Sequence, residues 1–143
     1  MTKIVVGVDG SEESQAALRW ARTEAELRKA ELNVVHVWTY PYTGPRTNVT
    51  EPRELMELDA AKELEQMMSA VPTDRASGAA NVTVHAHVRE GNPADVLVQE
   101  SKDADLLVVG SRGRGGFAAL LLGSVSTAVT HHASCPVVVV RPD

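Results

Sequence analysis

Runs of branched apolar residues alternate with amphipathic helical patterns along the whole of this chain. Ile4-Val5-Val6-Gly7-Val8, Leu32 to Trp38, Val82 to Val88, Asp105 to Val109 and Pro136 to Val140 read as strands. The first is nearly continuous in β-branched residues, as parallel strands covered on both faces are. Ser11 is placed to cap a helix over 12–29, with Ala17, Leu18, Ala21 and Ala25 on its apolar stripe. A second helix is expected over 51–70, with Leu58, Ala61, Leu64 and Met68 along one side. Asn92-Pro93 signals a short third helix, with a capping side chain and then proline at the first helical position. Val125, Ala128, Val129 and His132 follow a fourth helical spacing. Such alternation implies an α/β sandwich on a mostly parallel sheet with right-handed crossovers.

In a doubly wound order, 3-2-1-4-5, strand 1 lies beside strand 4, and ligands bind outside the carboxyl ends of those two strands. Asp9-Gly10-Ser11 follows one of them and Gly110-Ser111-Arg112-Gly113 follows the other. The second segment continues through nine residues to Gly123-Ser124, so a buried strand opens into a glycine-rich loop that ends at a helix N-terminus. Unpaired backbone N–H groups and the positive end of the helix dipole suit a phosphate there. Glycine permits positive φ and close backbone approach. Ser124 offers a hydroxyl to cap the helix or to meet a phosphate oxygen.

The totals exclude several classes. A net charge of −5 with 3% aromatic residues argues against nucleic acid, which calls for a basic face and stacking rings. The single cysteine, Cys135, cannot form an internal disulfide and suits a reducing cytoplasm. The N-terminal apolar run reaches Asp9 too soon for a signal peptide, and no run approaches the ~20 residues of a membrane helix. The chain is therefore expected to be one cytoplasmic domain over 1–143, with no membrane partner.

Competing motifs are weaker. Gly113-Arg114-Gly115-Gly116-Phe117-Ala118 fits a dinucleotide fingerprint, but it follows the fourth strand rather than the first, and no acid closes a later strand. No Gly-Lys-Ser or Gly-Lys-Thr is present for a Walker loop. Val109 breaks the nucleophile-elbow pattern around Ser111. His85 and His87 share one face of a strand without an evident third ligand, His131 and His132 diverge on a helix surface, and Cys135 reads as packing.

Gly-x2-Gly-x9-Gly-Ser resembles the nucleotide signature of the universal stress proteins, in their ATP-binding branch. Ile4-Val5-Val6-Gly7-Val8-Asp9-Gly10-Ser11, Glu90-Gly91-Asn92-Pro93-Ala94 and Ser134-Cys135-Pro136-Val137-Val138-Val139-Val140 extend the likeness across the chain. The resemblance implies a three-layer, Rossmann-like nucleotide-binding fold whose parallel five-stranded sheet runs 3-2-1-4-5. It implies a ligand that is ATP or another adenine nucleotide such as AMP or cyclic AMP, together with Mg2+. By the same resemblance Gly110, Gly113, Gly123 and Ser124 would hold phosphates and ribose, and Asp9 would lie near the ribose and phosphates. Gly7 and Val37 would line the adenine pocket, and Ser111, Arg112, Val125 and Ser126 would complete the loop.

Asp9 is the one candidate contact for a metal beside the phosphates; its alternatives are a solvated acid or a cap for the nearby helix. Arg112 and Arg114 either neutralise phosphate charge or face water. No general base for fast hydrolysis is evident, so a regulatory binding protein is expected, and the resemblance implies a role in the stress response. Its alternatives are a slow ATP hydrolase or phosphotransfer enzyme, or an adaptor whose pocket is only structural. Val137 to Val140 would form an uncharged edge strand, which suggests a homodimer paired through it.

Overall fold

The computed structural model describes residues 2–40, 52–71, 82–112 and 122–142. Its elements run β1 (Lys3–Val8), α1 (Glu12–Arg28), β2 (Glu31–Trp38), α2 (Arg53–Ala70), β3 (Val84–Glu90), α3 (Pro93–Ser101), β4 (Leu106–Gly110), α4 (Ser124–His132) and β5 (Val137–Val140). The strands form one parallel sheet of order β3-β2-β1-β4-β5, as the sequence reading expects. β1 therefore lies between β2 and β4, and the strand order reverses beside it.

Alternation along the strands divides the apolar side chains into two layers. Ile4, Val6, Leu32, Val34, Leu106 and Val108 face α1 and α2, while Val5, Val35, Leu107 and Val109 face α3 and α4. α1 lies close on the sheet because its stripe is small: Ala17, Ala21 and Ala25 are all fully buried. Its first turn is capped by Ser11, whose Oγ accepts from the Ser14 N–H at 3.2 Å. Asn92 caps α3 in the same way through the Asp95 N–H, with Pro93 just inside the helix.

Some details differ from the sequence reading. The buried face of α2 is Ala60, Leu64 and Met67, while Leu58 is 56% exposed. Two apolar stripes one position apart share Leu64, and spacing alone cannot choose between them. β3 starts two residues later than expected and extends through Arg89 and Glu90, which pair with Val37 and Trp38. As an edge strand it exposes much of its length, so hydrophobicity marks its ends poorly. Asp105 precedes β4: its carboxylate accepts from the Lys3 N–H at 2.8 Å, and its own N–H donates to the Lys3 carbonyl at 2.8 Å.

Side chains also tie the layers together. Arg22 on α1 donates to the Val71 carbonyl at the end of α2, and burial pushes its guanidinium below its usual pKa. His36 on β2 is buried, with Nδ1 donating to the Val8 carbonyl at 3.0 Å and Nε2 3.0 Å from Glu63 of α2. The imidazole thereby anchors the last residue of β1. Cys135 packs against the α3–α4 layer; burial raises its thiol pKa and the Asp105 carboxylate adds to this. That is the environment of an inert thiol.

Candidate functional site

The turn after β1 is held by its own side chains. Gly10 adopts φ 87°, a left-handed conformation that favours glycine. Asp9 Oδ1 accepts from the Ser11 N–H at 2.9 Å and from the Ser11 hydroxyl at 2.5 Å. The Asp9 N–H donates to Ser14 Oγ at 3.2 Å, and that hydroxyl donates in turn to the Ser11 carbonyl. Asp9 thus orders the turn that leads into the Ser11 cap without capping α1 itself, and it also borders the cavity described below.

The turn after β4 begins with a close approach. A Cβ on Gly110 would lie 2.7 Å from the Glu13 carbonyl carbon and 2.8 Å from the Glu13 Cβ. Among the described glycines only Gly10 and Gly91 have positive φ. The absent side chain at Gly110 therefore serves contact with α1, not the unusual dihedral that the sequence reading allowed. Ser111 is buried and continues the ladder, its N–H donating to the Val140 carbonyl at 2.8 Å. The Ser111 carbonyl accepts from the Gly123 N–H at 2.7 Å and from Ser126 Oγ at 2.9 Å. The start of α4 is pinned to the end of β4 by these bonds.

Gly123, not Ser124, occupies the N-cap position of α4, and it makes no side-chain cap. Ser124 is the first helical residue and is exposed. The amides of Ser124, Val125 and Ser126 lie in the first turn, where N–H groups have no acceptor within the helix. The Gly123 amide is engaged by the Ser111 carbonyl, so the amides left without an acceptor at this helix start, among the described residues, are these three. Gly113 and the variable segment with Arg114 lie outside the described residues.

Between the two turns, on the α3–α4 side of the sheet, lies a cavity of about 110 Å3. Of the residues singled out in the sequence, it brings together Gly7, Asp9, Val37, Gly110, Arg112, Val125 and Ser126. Ser111, Gly123 and Ser124 are not among its lining residues. Val8, Ser14, Val35, Pro93, Leu97 and Val109 complete the wall, and sequence reasoning missed all of them. Strand alternation could have supplied Val35, which shares a face with Val37, and one helical turn separates Pro93 from Leu97.

Leu97 is the floor. The space a Gly7 Cβ would need is taken by Leu97 Cδ1, 2.8 Å away. Most of the lining is apolar, which suits a flat heterocycle, and Asp9, Ser14, Arg112 and Ser126 supply its polar side chains. Arg112 Nη2 lies 4.0 Å from Glu13 Oε1. An apolar slot with cationic and amide donors at its rim can take a ring at one end and an anion at the other. Among the described residues no group of three or more His, Cys, Asp or Glu is arranged to hold a metal ion. No helix among them is long and apolar enough to cross a membrane.

Known proteins share this architecture. The family model described as "Universal stress protein family" matches residues 1–141. A universal stress protein of Mycolicibacterium smegmatis is 40% identical over 145 residues, covering 98% of this chain and 48% of its own length. The chain thus spans about half the length of the curated relatives it matches. Among solved structures, the universal stress protein UspA from Lactobacillus plantarum superposes with a TM-score of 0.79 at 27% identity, covering 98% of this chain and 97% of that one. A universal stress protein in complex with cAMP gives a TM-score of 0.72 at 26% identity, covering 99% and 98%. The universal stress protein from Archaeoglobus fulgidus in complex with dAMP gives 0.64 at 29% identity, covering 98% of each chain. In sheet order, in the glycine-lined junction beside β1 and in sequence over nearly its whole length, this chain belongs to the universal stress protein family.

Proposed function

We propose that this chain binds an adenine nucleotide, ATP among them, and acts as a cytoplasmic regulatory protein of the stress response rather than as an efficient catalyst. The observation that carries the reading is the slot where strand order reverses, apolar inside and bordered by Arg112, Asp9 and the free amides of α4. Family members bound to cAMP and dAMP support it. The base would lie against Gly7, Val37 and Leu97, with the ribose and phosphates toward Asp9, Arg112 and Val125. The signature residues Gly110, Gly113, Gly123 and Ser124 would shape the loop around the phosphates. Mg2+ would arrive with the phosphates and take Asp9 as its one carboxylate, since this ion keeps several waters and needs few protein ligands. Charge-assisted bonds of roughly 1.5–3 kcal/mol each, added to burial of the base, are enough for micromolar affinity, about −8 kcal/mol. Titration calorimetry of the chain with AMP, cAMP and Mg-ATP is expected to show saturable binding in the micromolar range. Absence of binding at millimolar ligand overturns the reading.

The same reading includes a homodimer. Val137, Val138, Val139 and Val140 lie at the sheet edge and are half-buried, with β4 on one side only. Strand pairing across a two-fold axis would satisfy the outer backbone groups. Light scattering at micromolar concentration is expected to give twice the mass of the chain, and Val139→Pro to return it to monomer. A monomeric wild type would contradict the dimer without touching the nucleotide reading.

A further inference from the structure

Glu13 does not line the cavity, yet it packs on Gly110 and lies near Arg112, which both do. Gly110 lets the main chain of Glu13 press against the end of β4, with the Glu13 carbonyl carbon 2.7 Å from where a Cβ would stand. Two residues beyond Gly110, Arg112 Nη2 sits 4.0 Å from Glu13 Oε1, and the Glu13 side chain is only 17% exposed. A carboxylate at this spot is held beside the cation that borders the proposed phosphate end. We infer that Glu13 is a specificity-determining residue that discriminates ligands by phosphate charge. The inference rests on the nucleotide reading above and adds to it.

Glu13 Oε1 stands 4.0 Å from Arg112 Nη2, an ion-pair distance beyond that of a hydrogen bond, so its charge offsets part of the cation's before a ligand arrives. The same carboxylate opposes any anion that approaches Arg112, and the opposition grows with the number of phosphates. A monophosphate meets a modest penalty and a triphosphate a larger one, whereas an uncharged nucleoside meets none. Glu13 thereby biases the site toward ligands of low charge. Glu12, its neighbour on α1, carries the same charge but is exposed and has no ion pair with Arg112 among the described contacts.

The test is calorimetry of the full chain with adenosine, AMP, ADP and ATP, for wild type, Glu13→Gln and Glu12→Gln. Glu13→Gln is expected to leave adenosine within about two-fold, to tighten AMP about three-fold, and to tighten ATP about ten-fold. The gradient should shrink as salt rises and should persist in an Arg112→Gln background, because the repulsion between Glu13 and the phosphates is direct. A Glu13→Gln variant that shifts all four ligands equally, or none of them, overturns the inference while leaving nucleotide binding intact. So does a Glu12→Gln variant showing the same gradient, because the effect would then be general surface charge. If the wild type binds none of the four, the nucleotide reading itself falls and this inference with it. The melting curve of Glu13→Gln should match wild type; a variant that melts early is replaced by Glu13→Ala, with the same charge gradient required.

Discussion

Replacing Gly110 with alanine is expected to cost about 3 kcal/mol or more of stability, the upper range for forcing one methyl into a full interior. For a domain of this size that corresponds to a loss of roughly 10 °C in melting temperature. The added carbon would meet Glu13 main-chain and Cβ atoms at 2.7–2.9 Å, and main chain cannot rotate away as a side-chain tip can. Relief requires α1 to move off the sheet or β4 to shift. α1 cannot move cheaply, because Ala17, Ala21 and Ala25 are fully buried and seat it close on the strands. β4 cannot shift cheaply either, since Leu107 to Gly110 pair with β5 and Ile4 to Val6 hold its other side. Nucleotide binding should fall with the fold, because Gly110 also borders the cavity. Thermal unfolding followed by circular dichroism measures the effect; a melting temperature within about 2 °C of wild type would show that the junction has slack.

This role for Gly110 also shows where the sequence is legible and where it is not. The parallel sheet could be read because Ile4 to Val8 and Leu106 to Val109 are apolar on both faces, which only a strand covered on both sides requires. The caps at Ser11 and Asn92 could be read because their bonds are local, formed with residues three positions on. The resemblance of Gly110 to Ser124 to a known signature identified the loop. It did not reveal that Gly110 answers to Glu13, a contact between distant parts of the chain with no local trace. Nor could the sequence show which amides stay open, since the Gly123 amide is engaged by the Ser111 carbonyl and those of Ser124, Val125 and Ser126 are left at the start of α4. Leu97 was invisible as a cavity floor because its burial depends on how α3 crosses the sheet above Gly7. α2 was placed correctly but rotated by one position, since Leu58 and Ala60 offer equally spaced stripes. Charge and apolar periodicity decide which elements form; which atoms meet at the cavity is decided by packing between them.

Gly7→Val, unlike Gly110→Ala, is expected to remove nucleotide binding while leaving most of the stability. Here the atoms in the way are Leu97 Cδ1 at 2.8 Å and Cδ2 at 3.1 Å, the far end of a flexible side chain. The strand itself gains from the exchange, because valine suits a central strand and glycine loses more backbone freedom on folding. Overpacking offsets that gain, for a net cost of about 1–2 kcal/mol. Leu97 cannot retreat into the layer behind it, where Val5, Val35, Leu107, Val109 and Val129 are closely packed. The open direction is the cavity, whose 110 Å3 a displaced isobutyl group would largely occupy. AMP affinity should then drop by about 100-fold or more, roughly 2.7 kcal/mol, from exclusion of the base alone. Trimming the floor reverses this: Gly7→Val combined with Leu97→Ala is expected to recover binding to within about ten-fold of wild type, a coupling that contacting residues show and distant ones do not. Calorimetry with AMP and a parallel thermal melt give both readouts. Wild-type affinity in Gly7→Val would mean that the base does not rest on Leu97, and the proposed orientation of the nucleotide would have to be abandoned.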